Sequence, residues 1–222
     1  MNPERLKEKI MGWGGSLVGF ADLSNLLPER WQSLSSGISI ATRLSDAIID
    51  EIAEGPTLLY AHHYRVLNAF LDSITLKTTH YLQSKGFQAI PIPASQTVDP
   101  EKLAGEISHK MVGTRAGLGW IGKNALLITP QWGPRIRLAT VLTDASLEAG
   151  QPITMGNCGK CQACVVKCPA QAIKGVNWTI EHLRADLLSA DRCSEKITKN
   201  QAVVGEPICG ICVSVCPIGQ SS

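Results

Sequence analysis

All eight cysteines of this chain lie between residues 158 and 216, and their spacing leaves few structures open. The first run reads Cys158-x2-Cys161-x2-Cys164-x3-Cys168-Pro169. The second reads Cys209-x2-Cys212-x3-Cys216-Pro217, with Cys193 standing 16 positions ahead of it. A disulfide scaffold belongs to short secreted chains. Here Met1–Lys9 is charged and lacks the apolar stretch of a secretory signal. Tight, repeated spacing in one segment points to metal instead. A four-iron cubane takes one thiolate at each iron. Three closely spaced cysteines wrap one cluster, and the cysteine before proline crosses to the other. That rule predicts one [4Fe–4S] cluster on Cys158, Cys161, Cys164 and Cys216. It predicts a second on Cys209, Cys212, Cys168 and the outlying Cys193. Zinc is the alternative, since CxxC pairs also build zinc knuckles. The doubled CxxC-x3-CP ending favours iron–sulfur, because a zinc site has no use for a crossed, proline-flanked cysteine. Two clusters close together make an electron wire rather than a catalyst.

The rest of the composition mostly excludes. Lys+Arg at 21 against Asp+Glu at 19 is nearly balanced, with no basic stripe and no run of like charge. Nucleic acid and an anionic membrane surface are therefore not expected as partners. No apolar run approaches the ~20 residues of a membrane-spanning helix. The expected setting is the cytoplasm.

Along the first 150 residues, helix and strand signals are mixed without strict βαβ alternation, which predicts an α+β fold. Residues 3–12 read as helix, and Leu17–Ala21 and Ile38–Arg43 as strands. Ser45 offers an N-cap for a helix through Glu54, broken by Gly55-Pro56. Thr57 caps a long helix to Lys85, stopped at Gly86. Phe87–Ile92 reads as a strand. Asp99-Pro100 predicts the start of a helix running to about Thr114. Ala125–Thr129 and Ile136–Thr143 read as strands joined by a loop, and Ala145–Met155 as a polar linker. The expected division is residues 1–150 and 151–222.

Gly117-Leu118-Gly119-Trp120-Ile121-Gly122 fits the dinucleotide pattern GxGxxG. That pattern needs a strand before it and a helix after it. A helix is expected before, and Pro130 cuts short whatever follows. The glycines are better read as permitting a tight turn or a close backbone approach.

Arg115-Ala-Gly-Leu-Gly-Trp-Ile-Gly-Lys-Asn124, then Leu126-Leu-Ile, then Val141-Leu-Thr-Asp144, joined to the two cysteine runs, resembles the epoxyqueuosine reductases, relatives of the reductive dehalogenases. The resemblance covers residues from about 105 to 219. It implies a nitroreductase-like α+β domain at 1–150 followed by a bacterial-ferredoxin-like double-cluster domain at 151–222. It implies cobalamin as a further cofactor, or FMN in its place, since nitroreductase-like folds also bind flavin. Gly117, Leu118, Gly119, Trp120, Gly122, Lys123 and Asn124 are then the candidate cofactor wall. The family carries an Asp-Ser-Ala-Pro stretch with the proposed proton donor, where this chain has Leu103-Ala-Gly-Glu-Ile-Ser-His-Lys110. The family's C-terminal extension, which helps bind tRNA, is not in this sequence. Queuosine tRNA is therefore not the expected substrate.

Outside the clusters, His109 is a candidate replacement proton donor, having a reference pKa near ~6.5. Tyr60, His63 and Tyr64 share one helix face at i, i+3 and i+4 and are further candidates. Arg135 and Arg137 flank Ile136 on a strand, where a solvated face is the default. Three functions compete. The first is a reductase that takes electrons from a low-potential ferredoxin- or flavodoxin-type donor and reduces a cofactor or small substrate. The second is a non-enzymatic carrier that activates a partner such as a corrinoid protein. The third is a flavin-dependent reductase.

Overall fold

Asn2 opens the first helix, α1 (Pro3–Gly12): its side chain accepts from Arg5 N at 3.1 Å, and Pro3 follows at the first helical position. The computed structural model describes residues 1–96, 98, 99, 101, 103 and 105–220. Strands β1 (Leu17–Asp22) and β2 (Ser36–Arg43) follow, then α2 (Asp46–Asp50) and the long α3 (Leu58–Gln83). After β3 (Ala89–Ile92) come α4 (His109–Arg115), β4 (Trp120–Ile121), β5 (Leu127–Ile128) and β6 (Ile136–Thr143). The cysteine segment holds α5 (Ala163–Val166), α6 (Arg184–Leu187), α7 (Ala190–Val204) and α8 (Ile211–Ser214). The chain is thus mixed α/β. No helix among the described residues is long and apolar enough to cross a membrane.

The segments sort into two compact units that interleave along the sequence. One comprises Met1–Arg43, Leu67–Leu118 and Arg137–Ile153; the other comprises Leu44–Val66, Gly119–Ile136 and Thr154–Ser222. The first is built on a four-stranded sheet of order β1-β2-β6-β3, with β1/β2 and β3/β6 antiparallel. Side chains alternate across a strand, and both faces here are covered. Val18, Phe20, Ile38, Ile40, Ala139 and Val141 pack with Leu6 and Ile10 of α1 and Leu71, Ile74 and Leu82 of α3. On the other face Ala21, Ile92 and Leu142 meet Leu23, Leu27, Leu34, Val112 and Ala116. Each aliphatic side chain so buried contributes about 1.5–3 kcal/mol.

Several elements differ from the sequence expectation. The helix expected from Asp99 starts only at His109, where Ser108 Oγ accepts from Met111 N at 3.3 Å. Leu103 lies in the left-handed region at φ 50°, which a continuous helix does not allow; Pro100, the anticipated first residue, lies outside the described residues. Helix α2 stops at Asp50 rather than Glu54. Residues 145–153, expected as linker, are laid against their own unit: Gly150 N donates to Phe20 O at 2.8 Å and Ile153 N to Thr114 O at 2.9 Å.

In the second unit, β4 and β5 form a two-stranded antiparallel hairpin. Its turn closes through Gly122 N to Leu126 O and Ala125 N to Gly122 O, both 2.8 Å. Ala125 takes a left-handed φ of 57° to make it. The GxGxxG string therefore leads into a hairpin, and the strand β4 within it was not anticipated. Lys123 and Asn124 sit in the turn.

Candidate metal centre

Each CxxC run is followed by a single helical turn: Cys164 lies in α5 and Cys212 in α8. Gly210 enters α8 with a left-handed φ of 84°. A Cβ there would meet Tyr60 Cε1 at 2.8 Å and Ile52 Cδ1 at 2.4 Å, so glycine lets the second cysteine loop press against Tyr60.

The thiols fall into two groups. Burial pushes the Cys164 thiol up to about 11, and the neighbouring Cys158, Cys216 and Cys161 add to the rise. Burial also raises Cys216, with Cys158 and Cys161 contributing and the Arg135 guanidinium pulling back. In the second group, burial raises Cys212, reinforced by Cys209, Cys193, Cys164 and Cys168. Cys209 is raised by burial and by Cys168. Thiols that disfavour one another's ionisation lie close together, and a cation or cluster relieves the repulsion.

Cys158, Cys161, Cys164 and Cys216 line a cavity of about 370 Å³, counting its opening to solvent. Lys123, Asn124, Ile128, Ala163, Pro217 and Ile218 complete its wall. The donors are thiols, with neither carboxylate nor imidazole among them. A zinc ion needs its sulfurs about 2.3 Å from one point, whereas a cubane spreads them over its corners. The residues fit a cluster.

The hairpin turn holds both loops. Lys123 Nζ donates to the carbonyl oxygens of Gly159 at 2.9 Å and Cys161 at 3.0 Å. Asn124 Nδ2 donates to Cys212 O at 3.1 Å, while its Oδ1 accepts from Leu126 N at 3.1 Å. Adjacent residues thus tie the first and the second cysteine loop to one turn.

Arg135, expected on a solvated face, is instead one of the most deeply buried side chains, at 1 % exposure. Its guanidinium pairs with Asp50 at 2.6 Å and Asp46 at 3.3 Å, and its Nη2 lies 3.5 Å from Ser214 O. It precedes β6, so its side chain is not bound to the strand's alternation. Asp46 and Asp50 stand at i and i+4 on α2, on one face of that short helix. The sequence offers no sign that Arg135 meets Asp46 and Asp50, because only tertiary contact joins them. Arg137 donates to Asn68 Oδ1 at 2.9 Å in the other unit.

The remaining candidates are distributed as follows. Tyr60 is buried, and its ring meets Tyr64 edge-on at 6.3 Å. His63 Nε2 accepts from Ser45 N at 3.1 Å, and burial lowers its pKa. His109 lies in the other unit. Its Nε2 donates to Pro93 O at 2.9 Å, and its Nδ1 accepts from the Thr140 hydroxyl at 2.8 Å. Both ring nitrogens are engaged inside the fold, and burial pulls the imidazole below its usual range. Gly117 and Leu118 belong to that unit, and Gly119–Asn124 to the cysteine-bearing one. A Cβ on Gly117 would meet Gln151 O at 2.9 Å, and one on Gly119 would meet Ile128 O at 2.1 Å. One on Gly122 would meet Ile128 Cγ1 at 2.7 Å. Trp120 is buried, with no acceptor for Nε1 among the described residues.

Residues 157–219 match the family described as a 4Fe–4S double cluster binding domain. An epoxyqueuosine reductase of Synechocystis sp. is 36 % identical over 98 % of this chain and 74 % of its own length. Others of that name, from Lactococcus garvieae and Bacillus anthracis, match over only 37 % and 30 % of their length. Among solved structures, an epoxyqueuosine reductase with an epoxyqueuosine-modified tRNA-Tyr stem loop is similar at TM-score 0.63 and 22 % identity. That similarity covers 98 % of this chain and 65 % of the other. A reductive dehalogenase whose structure suggests a mechanism for B12-dependent dehalogenation is similar at TM-score 0.72 and 17 % identity, over 99 % and 32 %.

Proposed function

Because the chain belongs to the epoxyqueuosine reductase family, we propose that it is an iron–sulfur oxidoreductase that takes single electrons from a low-potential donor protein. The observation that carries this reading is the pair of thiol groups, one of them lining a cavity walled only by thiols, apolar residues, Lys123 and Asn124. Cys158, Cys161, Cys164 and Cys216 would hold one cluster, and Cys168, Cys193, Cys209 and Cys212 the other. Bound there, [4Fe–4S] clusters supply one-electron transfer at low potential. The chain's own work is to order the loops. Lys123 and Asn124 fix them to a single turn, and Ile128, Pro217 and Ile218 keep part of the wall dry.

Residues 1–150 would form a nitroreductase-like module with a second cofactor. One structural neighbour, the B12-dependent dehalogenase, favours B12 ahead of flavin. On their Cβ sides Gly117 and Gly119 are packed against the carbonyls of Gln151 and Ile128, a close approach of backbone to backbone. That same packing favours a second reading, a carrier that hands electrons to a partner such as a corrinoid protein. The relative captured with a tRNA stem loop makes that modified stem loop the first substrate to try, ahead of small molecules.

Anaerobic purification with iron, cobalt and flavin analysis tests the proposal. About eight irons per chain are expected from two four-iron clusters. Fewer than about four would sink the iron–sulfur reading. Stoichiometric cobalt would sink the carrier reading, and eight irons without cobalt or flavin would sink the cobalamin reductase.

A further inference from the structure

Lys123 is 3 % exposed, and its ammonium is satisfied by two carbonyl oxygens, those of Gly159 and Cys161. Among the described residues no carboxylate pairs with it, whereas another buried cation of this unit, Arg135, has both Asp46 and Asp50. Burying a charge without an opposite charge costs several kcal/mol. A chain that keeps lysine there needs a negative charge close by. The acidic groups that share its cavity are the thiols of Cys158, Cys161, Cys164 and Cys216. A protonated thiol carries no charge and offsets nothing. As ligands the four are thiolates, and a four-thiolate iron–sulfur site is net negative and gains a further negative charge on reduction.

We propose that Lys123 is the built-in counter-ion of the cluster on Cys158, Cys161, Cys164 and Cys216, a positioning residue that favours its reduced form. The inference rests on the iron–sulfur reading above. It gives the two cysteine groups different surroundings. Lys123 ties the first loop through a charge, and its neighbour Asn124 ties the second through a neutral amide to Cys212 O. Hydrogen bonding and charge around a cluster are among the levers that tune its potential. Lys196 acts on Cys209 of the second group, but it is only half-buried where Lys123 is buried, so the cluster beside Lys123 would be the easier to reduce.

The test compares wild type, Lys123→Arg and Lys123→Gln after anaerobic reconstitution, by iron content and by redox titration followed by electron paramagnetic resonance. Lys123→Gln should shift one of the two midpoints to lower potential, or lose about half of the iron. Lys123→Arg, which keeps the charge, should hold wild-type iron and midpoints near wild type. Two outcomes overturn the proposal. One is that both variants match wild type in iron and in both midpoints. The other is that Arg and Gln are equally impaired, which would assign Lys123 to shape rather than charge. If wild type itself holds fewer than about four irons, the iron–sulfur reading fails first, and that result is separable from either pattern in the variants.

Discussion

His109 illustrates how a residue with a chemically suggestive type acquires a different duty from its neighbours. Its ring joins Pro93 O to the Thr140 hydroxyl and is half-buried, with Arg137, Lys110 and Asp72 around it. Removing the ring in His109→Ala leaves a buried hydroxyl and a carbonyl unpaired, which should cost about 1–3 kcal/mol in thermal or denaturant unfolding. Burial lowers the folded pKa below that of the unfolded chain, near 6.5. The unfolded state then binds more protons below that pH, so stability is complete above it and falls as pH drops through it. Melting temperatures at pH 7.5 and 5.5 should differ more in wild type than in His109→Gln. An equal difference would mean that other groups carry the acid sensitivity.

At the scale of elements, the hairpin of β4 and β5 and the loop after β5 hold the cysteine segment. A Cβ on Gly133 would lie 1.8 Å from Ile218 O, and one on Gly219 would lie 2.0 Å from the Trp132 carbonyl carbon. The backbones at 132–133 and 218–219 approach more closely than any side chain permits. Gly133→Ala must push them apart and displace Cys216, two residues before Ile218. The expected result is loss of about half the iron with the far-ultraviolet circular dichroism largely kept. Gly159→Ala is the control: it too has positive φ, at 55°, but nothing lies within 4 Å, so only the left-handed cost of roughly 1–2 kcal/mol applies. Asn124→Ala removes the donor to Cys212 O and the acceptor for Leu126 N. Thermal unfolding of the iron-loaded protein should show a loss of about 1–3 kcal/mol, without the change of one midpoint expected for Lys123→Gln.

At the scale of the whole molecule, the two units stand on different physical bases. One has a sheet covered on both faces by aliphatic side chains. The other holds its 154–220 stretch in four helices, three of four residues and one of fifteen, joined by loops. Where local structure is so short, metal binding supplies folding free energy directly. Oxidative removal of iron should accelerate amide hydrogen exchange across Cys158–Cys216 while β2 and α3 after Leu67 keep their protection. Uniform acceleration would show that the sheet-bearing unit also depends on the metal.

What the sequence determined by itself is local. Cysteine spacing within loops, the cap at Thr57 and the stop at Gly86 are set by neighbours a few residues away, so they are readable from order alone. The failure of the dinucleotide pattern was likewise legible, because a proline and a helix signal flank it. What only the tertiary structure decided is long-range. The helix placed at Asp99 begins at His109 because Leu103 turns left-handed and the Ser108 side chain caps the later turn. Arg135 meets Asp46 and Asp50 across 85 or more positions. Lys123 and Asn124 reach carbonyls 36 to 88 residues away. Such contacts leave no periodicity in the chain, since they depend on which segments the fold brings together and on the cost of burying a charge without its partner.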